Sequence, residues 1–290
     1  MITDISRNPK TTEVHNFIED TLAEAAAELH GADRDHYIMA MLAGPADRAG
    51  LIALFAFDLE LSRIPGKVSE VILGQMRLQS WRDGLIAAED GRQSGIPLAG
   101  ALLQLGFPRN GLETLIDARE RDLMRTDPPS NMDELVQFAA DTGGRLSELA
   151  IRHLNRPDAA PDAIAAAARH AGTAHVLTGL ARSIPRQWPA RRQYVPASFG
   201  LENGPEAVRK AAAALAGGAQ HEIDRARASA SEHGGKPDAK LFPALAAATI
   251  AESHLHTLRR CGFDPAHPRT TYRGAGAAVR LAWRRYINRF

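Results

Sequence analysis

Apolar and alanine positions recur at helical spacing in the segments 13–29, 98–105, 133–153, 159–182, 205–233 and 239–260. β-branched runs with strict alternation are nearly absent. Pro and Gly fall between the segments: Gly44 and Pro45, Pro65 and Gly66, Pro128 and Pro129, Pro157, Pro161, Gly234 and Gly235. This is punctuation between helices, and it predicts an all-α protein. No fixed period of the solenoid kind is present.

The densest apolar stretch is Leu51, Ile52, Leu54, Phe55, Phe57, Leu59 and Leu61, with Asp58, Glu60 and Arg63 set into it. A helix apolar on most faces belongs inside a bundle. Charges inside such a helix must pair, meet water or line a cavity. Pro65 and Gly66 are expected to end it. A second helix then begins near Ser69 and carries Gln75, Arg77, Trp81, Arg82 and Asp83. Two consecutive helices with polar groups amid apolar ones fit the wall of a central pocket. Glu60, Arg63, Arg77, Arg82 and Asp83 have three readings: an ion-pair network that fixes helix register, an anion- or ligand-binding site, or a metal site. Trp81 packs in the core or lines the cavity.

Elsewhere, Val14, Phe17, Ile18, Leu22 and Leu29 make one apolar face, and Asp33, Asp35 and Tyr37 precede a helix at 38–42. Residues 106–112 are expected as loop and 112–124 as a charged helix. Its charges form a solvated face, or Asp117, Arg121 and Arg125 touch a partner or ligand. Thr142, Gly143 and Gly144 interrupt a helical pattern, which predicts a kink or the close approach of another helix or ligand, because Gly inside a helix costs about 1 kcal/mol against Ala. Ile184 and Pro185 are expected to stop the helix that starts near 159, and a basic loop follows to Tyr194. Residues 205–260 predict a helical hairpin joined at 234–238. At the end, 276–290 puts Val279, Trp283, Tyr286 and Phe290 on one face, with Arg280, Arg284, Arg285 and Arg289 around them. That helix docks on the bundle or meets an anionic membrane or a partner.

The 290 residues carry a formal charge of +1, which gives no electrostatic case for nucleic acid, and no basic block is interleaved with aromatics. A single cysteine, Cys261, excludes a disulfide within the chain and fits a reducing compartment. No apolar signal region and no run of eighteen apolar residues is present, so a cytoplasmic location is expected, with peripheral contact at the inner membrane face left open. His254 and His256 stand at i,i+2 and His170 and His175 at i,i+5, poor spacings for a shared metal on a helix. There is no HExxH, CxxC, GxSxG, P-loop or dinucleotide fingerprint.

The order of motifs adds a resemblance. ALFAF at 53–57 followed by DLELSRI, and LTGLARSIPRQWPARRQYVP at 177–196, resemble the first and second signatures of the squalene/phytoene synthase family. Asp33 or Asp35, Tyr37, Pro45, Arg48 and the stretch 241–265 fit in order, so the resemblance covers nearly the whole chain. It implies an isoprenoid synthase-like helical bundle around a central cavity, one domain over 1–290 ending in the basic amphipathic helix 276–290. In that family Mg2+ held by aspartates neutralises a leaving diphosphate. Here Ser62, Arg63, Ile64, Pro65 and Gly66 stand where the first aspartate-rich element would be. In the second signature Arg182 is followed by Ser183, Arg186 and Gln187. Arg48, Arg182, Arg192 and Tyr194 match positions that the family uses toward diphosphate.

The strings around Glu60 and Arg63, then VSE, then GQMRLQSWRD, are similar to a divergent branch of the family that includes an assembly factor of mitochondrial NADH dehydrogenase (complex I). The resemblance therefore implies a non-catalytic member that binds an isoprenoid-like lipid or a protein partner, with complex I assembly intermediates among the partners, and that needs no cofactor. Its candidate cluster is Glu60, Arg63, Gln75, Arg77, Trp81, Arg82 and Asp83. The alternative is a head-to-head prenyl diphosphate transferase that uses Mg2+ through displaced acids among Asp58, Glu60, Glu70, Asp83 and Glu89.

Overall fold

The computed structural model describes the backbone of residues 9–187, 193–234, 237–271 and the single positions 281, 284 and 290, with side chains from 18 to 186, 193 to 234, 237 to 270 and at those three positions. Among the described residues there are helices and no strands, as the periodicity predicts. The order is α1 (Pro9–Ala32), α2 (Arg34–Met41), α3 (Pro45–Lys67), α4 (Val71–Glu89), α5 (Pro97–Gln104), α6 (Arg109–Met124), α7 (Met132–Ala139), a π-helical turn (Ala140–Gly144), α8 (Arg145–Leu154), α9 (Asp162–Gln187), α10 (Pro205–Glu232), α11 (Phe242–Arg260) and α12 (Pro268–Thr271).

α3 is the buried centre of one half of the bundle. Leu51, Leu54, Phe55, Phe57 and Leu61 are essentially inaccessible. Each such side chain contributes about 1.5–3 kcal/mol relative to exposure. α9 is the centre of the other half and packs on α8, α10 and α11. Thr142, Gly143 and Gly144 mark the close approach of another helix. The helix widens there into a π turn, and a Cβ on Gly172 of α9 would lie 2.0 Å from the Gly143 carbonyl oxygen. Two backbones therefore touch where α9 crosses this turn, which only glycine permits.

Two expected helix stops are corrected. Pro65 lies inside α3, which runs on to Lys67, and the break is the extended backbone of Val68 and Glu70. Pro185 lies inside α9, which runs on to Gln187. Each proline stands two residues from its helix end, so its missing N–H removes one bond from a last turn that is weakly held in any case. α2 starts earlier than expected because Asp33 caps it, its carboxylate accepting the His36 N–H at 3.2 Å. Asp35 and Tyr37 thus lie inside the helix. α6 likewise begins at Arg109, directly after Pro108.

The expected C-terminal helix at 276–290 falls mostly outside the described residues, as do Arg192 and the side chains of Val14 and Phe17. Within that segment Arg284 donates to Glu252 at 2.7 Å, and the Phe290 carbonyl accepts from Arg227 at 3.2 Å.

Candidate functional site

α2, α3, α9 and α11 bring a polar set into the interior. Asp33 caps α2 and also holds the ring of His36, one turn on, with Nδ1 at 2.7 Å. That ring lies against Phe55 of α3, 4.6 Å between centroids, and meets His175 of α9 edge-on at 5.0 Å. Asp35 reaches α11, where His254 Nε2 stands 2.8 Å from its carboxylate. The same nitrogen is 3.0 Å from Arg182 Nη1. One ring nitrogen serves one role at a time: protonated it donates to Asp35, and unprotonated it accepts from Arg182. Arg182 also donates through Nε to the Thr270 carbonyl at 3.1 Å and keeps Nη1 3.9 Å from Asp35.

Burial opposes charge on both partners of the α2 pair, yet the pair stays ionised. Burial alone would lower the His36 imidazole, but the adjacent Asp33 charge and hydrogen bond, with Asp58 and Asp35 behind, raise it to about 9. Burial alone would raise Asp33, but His36 holds it below the usual carboxylate range. His175 moves the other way, to about 4, through burial and then the His36 charge. It is therefore neutral at pH 7, and its Nδ1 is buried without a hydrogen-bond partner among the described residues. Four residues further along α9, Gly179 is exposed, and a Cβ there would meet nothing within 4 Å. The α9 face between His175 and Arg182 thus borders open space.

The signs of these shifts fix a pH profile. The raised His36 contributes stability that is complete below about pH 6.5 and is lost as pH rises through about 9. The depressed His175 costs stability as pH falls from about 6.5 toward 4. The lowered Asp33 contributes above the ordinary carboxylate range and is lost as pH falls below it. Asp33→Asn removes the strongest influence that raises His36, whose NMR titration midpoint is expected to fall from about 9 toward the ordinary imidazole range. A midpoint unchanged in the variant would show that Asp33 does not hold the proton.

A second polar centre joins α3 to α6. Asp58 accepts from Arg119 at 2.9 Å, with only 12% of either side chain exposed. One turn on, Asp122 accepts the Tyr194 hydroxyl at 2.8 Å, and Arg125 lies 5.3 Å over the Tyr194 ring and donates to the Gln193 carbonyl. Phe138 stacks on the same ring at 5.2 Å, and a cavity of about 180 Å³ opens between these groups and Arg121.

The sequence-predicted cluster is divided among several places. Glu60 faces Arg63 at 3.3 Å, and Arg63 also pairs with Glu28 of α1. Glu60, Arg77 and Trp81 do come together, around a cavity of about 220 Å³ that Ile64, Lys67, Ser80 and Ile96 complete. Trp81 is also core: it is buried edge-on against Phe57, 5.0 Å between centroids. Arg82 leaves the group to pair with Asp117 and Glu120 of α6, both at 2.7 Å. Asp83 accepts from Gln79 on the α4 surface, and Gln75 is half-buried. Of the diphosphate candidates, Arg182 and Tyr194 are engaged as described, Arg48 donates to the Ala43 carbonyl at 3.1 Å, and Arg192 is outside the described residues. Asp117, Arg121 and Arg125 pair within the chain, Arg121 with Asp141 at 3.3 Å.

Sequence reasoning missed His36, His175 and His254 as a group, and Arg119 as the partner of Asp58. Asp33 and His36 at capping distance were a usable signal. Nothing local pointed to His254, 219 positions from Asp35. Among the described residues no three His, Cys, Asp or Glu side chains are placed to hold a metal ion together.

The squalene/phytoene synthase family profile matches residues 29–285. Assembly factor 6 of NADH dehydrogenase (ubiquinone) complex I from Bos taurus is 28% identical over 255 residues, covering 83% of this chain and 74% of the bovine protein. The Homo sapiens protein is 27% identical over 255 residues with the same coverage. Among solved structures, a dehydrosqualene synthase in complex with ligand superposes with a TM-score of 0.76 at 14% identity, covering 94% of this chain and 98% of that one. Squalene synthase HpnC from Alicyclobacillus acidocaldarius gives a TM-score of 0.70 at 17% identity, covering 88% and 97%. These likenesses establish the isoprenoid synthase-like fold.

Proposed function

The chain belongs to the squalene/phytoene synthase family, and we propose that it is a non-catalytic member that serves as a binding module in the assembly of respiratory NADH dehydrogenase. The carrying observation is the charge balance beside α9. Asp33 and Asp35 face His36 and Arg182, two carboxylates against two cations, and His175 is neutral. Within this set of described residues no surplus of positive charge is left for a diphosphate. Arg182, the cation that the second signature would turn toward that group, is held by Thr270, His254 and Asp35.

Mg2+ does not fit the side chains at the corresponding places. Hard cations take oxygen ligands, chiefly carboxylates. Ser62 is exposed and donates to the Leu59 carbonyl, Arg63 brings a positive charge, Ser183 donates to the Leu180 carbonyl, and Arg186 is a second exposed cation.

The relatives named as complex I assembly factors support the assembly role. We place its action at the cytoplasmic face of the membrane. No described helix is long and apolar enough to cross one. Deleting the gene in a host that builds the complex is expected to lower the amount of assembled NADH dehydrogenase on native gels, with restoration by the intact gene. Unchanged complex levels would overturn the assembly role.

A further inference from the structure

The corner between α3 and α4 carries an exposed apolar tip beside a basic cavity, and we propose that it is a docking site for the anionic phospholipid surface of a membrane. α4 packs inward through Gly74, Leu78, Trp81 and Leu85. Ile72 and Met76 lie one turn apart on the opposite side, 55% and 60% exposed, with Val71 and Leu73 beside them. After these two turns the same outer face becomes polar at Gln79 and Asp83. On the inner side of the tip Gly74 packs directly on Leu123: a Cβ there would lie 2.5 Å from a Leu123 methyl.

Two features favour a bilayer over a protein groove. Residues 71, 72 and 73 are consecutive, so at about 100° per residue their side chains point to different sides of the helix. A rigid partner reads one face, whereas a fluid interface surrounds a projecting tip. The charge beside the tip is the second. Lys67 and Arg77 are exposed, line the cavity of about 220 Å³ with Ser80, and have no carboxylate within ion-pair distance among the described residues. The one carboxylate on that wall, Glu60, is turned to Arg63. Basic groups for the phosphates next to Ile72, Leu73 and Met76 for the acyl boundary are the composition of an interfacial contact. Ser69 and Glu70, both exposed, keep that contact shallow.

This gives the membrane contact of the preceding reading a location, and the vesicle assay succeeds or fails independently of the assembly phenotype. The full chain is sedimented with vesicles of phosphatidylcholine alone or mixed with phosphatidylglycerol. Binding is expected to the mixed vesicles only and to weaken as salt is raised. Lys67→Glu with Arg77→Glu, and separately Ile72→Ser with Met76→Ser, are expected to weaken it at least about tenfold. All four side chains are exposed, and circular dichroism checks that the fold is kept. Equal binding to neutral vesicles, or anionic binding untouched by both variants, would overturn the proposal. So would loss of binding only in Arg284→Glu with Arg285→Glu, which would move the contact to the C-terminal segment. Self-association abolished by Ile72→Ser with Met76→Ser, without vesicle binding, would assign the patch to a second copy of the chain and equally overturn it.

Discussion

Arg119→Met is expected to destabilise the protein by about 3–5 kcal/mol, the usual cost of leaving one half of a buried ion pair behind. Asp58 sits in the most buried stretch of α3, between Phe57 and Leu61, and its carboxylate takes its hydrogen bond from Arg119 across the α3–α6 contact. Burial works against the guanidinium, but the Asp58 charge, with Tyr194 and Asp122, raises its pKa and keeps it ionised. Without it, the more distant His36 charge would be left to answer that of Asp58. The double variant Asp58→Leu with Arg119→Met removes both charges together and is expected to recover most of the loss, because an apolar replacement of a whole buried pair is often neutral. Urea unfolding of the two single variants and the double reads this as a coupling energy. Additive losses would show that the pair acts as two separate polar groups.

Gly172→Ala is expected to exceed the roughly 1–3 kcal/mol usual for overpacking. The added methyl would lie 2.0 Å from the Gly143 carbonyl oxygen and 2.4 Å from Ser147 Oγ. The first of these is backbone and cannot rotate away, so α9 would have to leave the π turn. Gly179→Ala is the matched control on the same helix. Nothing lies within 4 Å of its Cβ, so the usual preference for Ala over Gly inside a helix, about 1 kcal/mol, is expected to stabilise. Thermal unfolding of both variants checks the contrast, and equal losses would contradict the open face beside Gly179.

The helical nature of the chain and the Gly143–Gly144 interruption were legible because both are local: apolar spacing for one, adjacent residues without side chains for the other. Pro65 and Pro185 misled because a proline reads as a stop wherever it occurs, whereas near a helix end it removes little. The family signatures led to Arg182 and Tyr194, and the structure supplies what they hold. The cluster along α4 dispersed for a geometric reason. Side chains that are neighbours in sequence point about 100° apart on a helix, so Trp81 enters the core while Arg82 crosses to α6 and Asp83 stays on the surface. The Asp33–His36 pair was within reach of sequence reasoning. His175 and His254 were not, since their meeting depends on how α9 and α11 pack against α2.

The proposal of a non-catalytic family member predicts that this chain does not transfer prenyl groups. The direct measurement is diphosphate release on incubating the pure protein with farnesyl or geranylgeranyl diphosphate and Mg2+, beside an active squalene synthase as control. No release above the protein-free background is predicted. Catalytic release of diphosphate, with a condensed prenyl product, would contradict it.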